Sequence, residues 1–141
     1  MSTHAGIGKL QADGTVKAIY CHHDGYPSYV GEILKSVYNN DTILDKLIEL
    51  GDISVLGELG IEPKENDEHS FENPMDGITI AYHRDRGEPK RISQFGSEKD
   101  YLENGTDRLD SFYLYLFKNG EWYLADIRYD DMSKNKFELL K

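Results

Sequence analysis

The sequence predicts an α+β domain: a mostly antiparallel sheet built from two β-hairpins plus a further strand, with two to three helices packed on it. Three observations carry this expectation. Asp13-Gly14 and Asn119-Gly120 each sit between runs of β-branched and aromatic residues, the pattern of tight hairpin turns. Residues 28–37 and 41–50 place apolar side chains at helical spacing. With 141 residues, the chain has the length of one ordinary domain, enough to bury about two-thirds of its unfolded surface in one core.

Residues 6–21 read as the first hairpin, turning at Asp13-Gly14. Pro27-Ser28 then looks like a helix start, with Ser28 as N-cap and Val30, Ile33, Leu34 and Val37 on one face. Asn39-Asn40-Asp41 breaks that helix. Asp41 is expected to cap a second one, whose stripe of Ile43, Leu44, Leu47, Ile48 and Leu50 ends at Gly51, a left-handed stop. Residues 60–76, acidic and with two prolines, read as a surface loop or insertion within a single 1–141 domain. A strand is expected over 77–83, followed by the charged turn Arg84-Asp85-Arg86-Gly87-Glu88-Pro89. Ser97 and Asp100 have capping-box spacing and open a short helix ending near Asn104-Gly105. The second hairpin spans 112–127, and the tail from 130 is expected to form a last short helix around Phe137, Leu139 and Leu140. Period-2 alternation puts Phe112, Leu114 and Leu116 on one face of residues 112–117 and Tyr113, Tyr115 and Phe117 on the other. Both faces are therefore covered, or one meets a partner, which leaves a homo-oligomer open.

Charge narrows the function. Acidic residues outnumber basic ones 26 to 16, for a net charge of -10, so the averaged field repels polyanions and argues against nucleic acid as a partner. The same field serves solubility or a basic protein partner. Cys21 is the only cysteine, which excludes an internal disulfide and cysteine-rich zinc patterns. Neither a signal-peptide pattern nor an apolar run of membrane-spanning length is visible, so the expectation is a soluble cytoplasmic protein with no membrane partner.

Two stretches carry chemistry. In residues 19–31, His22, His23 and Asp24 crowd a strand-to-helix junction with Tyr20, Tyr26 and Tyr29, more than a plain connector needs. A metal at His22 and Asp24 would need further ligands, with His83 or Glu88 as candidates, but the spacing matches no metal motif and no metal or cofactor is assigned. Cys21 beside His22 points away from it along a strand and reads as a small buried hydrophobe, so no catalytic residue is assigned. In residues 82–88, Arg84 and Arg86 offer guanidinium forks that match phosphate, and Gly87 lets backbone pass close to a ligand. The alternative is that they pair with Asp85, Glu88 or Asp24 and rigidify the loop.

The residues also carry a resemblance. Ile19-Tyr20-Cys21-His22, Asp24-Gly25-Tyr26-Pro27, Leu50-Gly51-Asp52-Ile53-Ser54, Arg84-Asp85-Arg86-Gly87-Glu88 and Tyr115-Leu116-Phe117 with Gly120 and Trp122 resemble a family of small, largely uncharacterised bacteriophage and prophage proteins. The resemblance implies a genetic setting, the host cell cytoplasm, and brings no catalytic residues with it. Where this sequence has His23, that family is expected to carry a tryptophan, which moves the interest to His22 and Asp24.

The leading expectation is a non-enzymatic binder that sequesters a phosphorylated, nucleotide-type small molecule to counter host defence, in a pocket between the two stretches. Arg84 and Arg86 would grip phosphate, and His22, Asp24, Tyr26, Tyr82, His83 and Glu88 would complete the site. The alternatives are an acidic inhibitor of a basic host protein, acting through Glu65, Asp67 and Glu68, and a metal-dependent hydrolase using His22, Asp24 and His83.

Overall fold

In the computed structural model, which describes residues 3–62, 69–127 and 135–140, the chain forms one mixed sheet with helices on both faces. Its elements run β1 (Ala5–Leu10), β2 (Val16–Cys21), a π-helical turn (Pro27–Gly31) leading into α1 (Glu32–Ser36), α2 (Asp41–Glu49), β3 (Ile53–Val55), β4 (Ile80–Ala81), α3 (Tyr82–Arg86), β5 (Ser93–Phe95), α4 (Glu98–Leu109), β6 (Tyr113–Lys118), β7 (Glu121–Asp126) and β8 (Glu138–Leu139). Strand order is β4-β3-β2-β1-β6-β7-β8, with β5 also paired to β2.

The α+β class is as the sequence predicts, but the sheet is mixed instead of mostly antiparallel. Each hairpin forms in the expected place, with Leu10 opposite Val16 and Lys118 opposite Glu121. At the second turn Asn119 and Gly120 take φ of 52° and 78°, the doubly left-handed turn whose twist suits a two-residue hairpin. The hairpins then join by a parallel pairing, Ile7 opposite Tyr115, and β3 adds to β2 in parallel at Cys21–Ile53. No local turn signal encodes either pairing.

Burial explains why both faces of β6 are apolar. Tyr115 and Phe117 join Ile7, Ile19, Leu34, Leu44 and Leu47 beneath α1 and α2. Leu114 and Leu116 join Val16, Ala18, Phe95, Tyr101 and Leu109 beneath α4. Phe112, one residue before the strand, stays exposed. Buried rings with polar tips tie the loops to this core. The Tyr115 hydroxyl donates to Gly25 O (2.8 Å), the Tyr38 hydroxyl to Gly57 O (3.1 Å), the Tyr29 hydroxyl to Leu56 O (3.0 Å) and Trp122 Nε1 to Tyr38 O (3.0 Å).

Several boundaries differ from the sequence reading. Pro27 occupies the first helical turn after Tyr26, so Ser28 lies inside the turn and caps nothing. Asn40, not Asp41, caps α2, its Oδ1 accepting from Ile43 N at 3.1 Å. The strand expected over 77–83 is only Ile80–Ala81, because Tyr82–Arg86 close a helical turn that ends at left-handed Gly87. Ser97 caps α4 as expected, but the helix runs through Asn104-Gly105 to Leu109, since Gly105 is buried against Leu114. Strand β5 was missed, and around Leu139 the tail forms a strand on β7 instead of a helix. Of the acidic loop, residues 69–76 hold turns and bends, while Glu65, Asp67 and Glu68 lie outside the described residues.

One close crossing holds β3 against the segment that leads into β4. A Cβ on Gly57 would lie 2.3 Å from Thr79 N and 2.4 Å from Gly77 O, both backbone atoms that cannot yield cheaply. Gly57 N also donates to Thr79 Oγ1 at 2.8 Å. Gly57→Ala is therefore expected to lower stability by about 3 kcal/mol through overpacking, measured by urea unfolding. A change within about 0.5 kcal/mol would show that the crossing is not tight.

Candidate functional site

The outer edge of β2 is shared by two strands. Residues Val16, Lys17 and Ala18 pair with β5, while β3 begins its pairing only at Cys21. Between them the Tyr20 N–H would be left without a strand partner, and a buried orphan donor is costly. The Asp52 carboxylate takes that place: Tyr20 N donates to Asp52 Oδ1 at 2.9 Å. Asp52 is itself pinned by its backbone, donating to Arg91 O (3.0 Å) and accepting from Tyr82 N (3.3 Å).

Beside this fork lies a cavity of about 260 Å³ lined by Tyr20, Asp52, Tyr82, Glu88, Pro89 and Arg91. Burial raises the Asp52 pKa above the ordinary carboxylate value, opposed by the Tyr20 N–H and by Arg91. A titratable group perturbed in this way inside a cavity is a mark of functional sites. Burial also raises the phenol pKa of Tyr20 and of Tyr82, so both remain neutral donors at neutral pH. The Tyr20 hydroxyl lies 2.6 Å from His22 Nδ1. Arg91 is exposed and makes no side-chain hydrogen bond or ion pair with a described residue.

Tyr82 and Glu88, then, are the predicted site residues that line the cavity, with His22 behind its Tyr20 wall. His22 stacks on His4 (ring centroids 4.7 Å apart) and meets His23 edge-on (4.5 Å), while His4 Nδ1 donates to Asp110 O at 2.9 Å. Burial, then His23 and His4, lower the His22 pKa against the pull of Asp110. Asp24 is exposed in a left-handed conformation, bonded by the Tyr26 hydroxyl at 3.3 Å, and neither residue lines the cavity. His83 donates through Nδ1 to Glu88 O at 2.7 Å. Among the described residues, no group of three metal-ligating side chains forms. Cys21 is fully buried and its thiol is pushed up to about 12, which removes it as a nucleophile at neutral pH.

The two arginines expected to grip phosphate are both paired, Arg84 within the fold and Arg86, half-exposed, at the surface. Arg84 donates to Asp85 Oδ1 (2.9 Å) and to the carbonyls of Thr79 (2.7 Å) and Ile61. Arg86 donates to Glu88 Oε2 (2.7 Å from Nε) and lies over the Phe71 ring at 4.3 Å. Asp85, 4% exposed, also accepts from Ala81 N (2.7 Å) and faces His69 Nε2 at 3.2 Å. Met75 N donates to His69 Nδ1 (3.0 Å), and His69 Nε2 is left facing Asp85. This buried cluster fastens residues 69–75 to α3.

The cavity residues that the sequence reading passed over as site residues are Asp52, Pro89 and Arg91, with Tyr20 placed only at the strand-to-helix junction. Asp52 stood inside Leu50-Gly51-Asp52-Ile53-Ser54, and its role depends on a strand pairing that no local pattern announces. No family model, curated protein or solved structure matches the chain. No helix among the described residues is long and apolar enough to cross a membrane.

Burial by itself would raise the Asp85 pKa, but Arg84, the Ala81 N–H and His69 outweigh it and hold the carboxyl below its ordinary value. An acid with a lowered folded pKa contributes stability that is full above its unfolded value of about 4 and is lost as pH falls through the folded value. Asp85→Asn is expected to cost about 3 kcal/mol at pH 7 by leaving Arg84 unpaired, with the deficit shrinking toward pH 3. Urea unfolding of both proteins across that range is the measurement, and a deficit independent of pH refutes the ionic role.

Proposed function

We propose that this protein is a non-enzymatic binder of a nucleotide-type small molecule, with its site at the fork between β3 and β5. The observation that carries the reading is the cavity in which two tyrosines, the half-buried Asp52 and the exposed Arg91 converge. Neutral tyrosine rings give a base a surface to stack on. Arg91, with no hydrogen-bonded or ion-paired partner among the described residues, supplies a guanidinium fork for a phosphate, whereas Arg84 and Arg86 are paired with Asp85 and Glu88. A cavity of about 260 Å³ suits a base more than a whole dinucleotide, so sugar and phosphate lie toward the exposed rim, where Arg91 stands. The resemblance to bacteriophage and prophage proteins supports a setting in which such a binder sequesters a nucleotide signal of the host's defence.

Nucleoside 5′-monophosphates are expected to raise the melting temperature in proportion to the logarithm of their concentration once the site is saturated. Arg91→Ala is expected to weaken the binding about tenfold, the loss of one charge-assisted contact at an exposed position, while leaving the melting temperature of the free protein within about 2 °C. Arg84→Ala is expected instead to lower the free protein's stability. If no nucleoside monophosphate shifts the melt at millimolar concentration, the proposal fails.

A further inference from the structure

The cavity also says which edge of a base it reads. We infer that Asp52 is the specificity-determining residue of the site and that it selects a base presenting two adjacent N–H donors, the edge that guanine carries and adenine does not. The inference rests on the nucleotide-binding reading above and deepens it.

Hydrogen-bonding capacity on the cavity wall is unevenly spent. The Tyr20 hydroxyl is committed to His22 (2.6 Å). Glu88 Oε2 already holds two nitrogens of Arg86, at 2.7 and 2.6 Å. Asp52 Oδ1 takes the Tyr20 N–H, and its Oδ2, like Glu88 Oε1, receives no hydrogen bond from a described residue, but Glu88 already faces the Arg86 guanidinium. An ionised carboxylate only accepts, and an oxygen that faces the cavity without a protein donor is open to a ligand's N–H. Adenine instead brings an acceptor nitrogen beside its amino group, setting lone pair against lone pair.

Position matters as much as capacity. Three bonds fix Asp52, through its backbone N (3.0 Å to Arg91 O), its backbone O (3.3 Å from Tyr82 N) and Oδ1 (2.9 Å from Tyr20 N). A carboxylate fixed in this way is pre-organised, so little ordering cost is left for binding. Arg91 contributes its carbonyl to that arrangement and its guanidinium to the rim, so acceptor and cation are held by the same short segment. A donor edge at one end and a phosphate at the other is the charge pattern of a guanine nucleotide.

The test titrates guanosine, inosine and adenosine 5′-monophosphate against the melting temperature of the full chain and of Asp52→Asn. The expected order is guanosine, then inosine, which has the ring N–H but lacks the 2-amino group, then adenosine, with guanosine about tenfold or more tighter than adenosine. Asn at position 52 still offers an oxygen to the Tyr20 N–H, so the fold is kept, but its amide brings a donor to a donor. Asp52→Asn is expected to reduce the guanosine preference to within about twofold while Arg91-dependent binding persists. Adenosine monophosphate binding as tightly as guanosine monophosphate, or a preference unchanged in Asp52→Asn, overturns the inference and leaves the nucleotide-binding reading standing. Silence from all three overturns both.

Discussion

Everything near the candidate site follows from one backbone constraint: the Tyr20 N–H on the outer edge of β2 must find an acceptor where neither β3 nor β5 reaches it. A third strand could have paired there and closed the sheet. Instead a side chain does so, and a carboxylate occupies less space than a strand, so a hollow is left beside it. The same choice that satisfies the sheet thus produces an anionic oxygen in a half-buried cavity. Structure and candidate function share a residue, and Asp52 is costly to keep ionised for the same reason that it is useful.

The surroundings are built to hold that fork open. On one side, α4 fastens β5: Arg108 donates to Gln94 O at 2.9 Å and lies over the Phe95 ring at 4.1 Å. On the other, the Arg84–Asp85–His69 cluster and the tight Gly57 crossing fix α3 and the end of β3. Buried ion pairs of this kind add little net stability but specify one arrangement, because each alternative leaves a charge unpaired. For Arg84 and Arg86 the bland expectation, that they rigidify the loop, describes the structure better than phosphate binding does.

Much of this was legible in the residues themselves. The hairpin turns at Asp13-Gly14 and Asn119-Gly120, the α2 stripe and the Ser97 cap are local signals, and local signals fix local geometry. In the stretch around His22, Tyr20 walls the cavity and His22 bonds it, whereas Asp24 and Tyr26 turn elsewhere. The errors have a common cause. Tyr82–Arg86 look like strand continuation and charged turn until Asp85 is seen accepting the Ala81 N–H, and Gly105 looks like a helix stop until Leu114 is seen packed against it.

Sequence alone determined the α+β class, the two hairpins, the helical stripes and the acidic charge balance, because each depends on residues within a few positions of one another. Only the tertiary structure decided that the hairpins join in parallel, that β2's edge forks, and that Asp52 and Arg91 meet Tyr20 and Tyr82 around a cavity. Parallel pairings bring together segments far apart in the chain, and no turn between them records the register. The residues that fill a gap in such a ladder are chosen by hydrogen-bond geometry in three dimensions, which leaves no periodic mark in the order of amino acids.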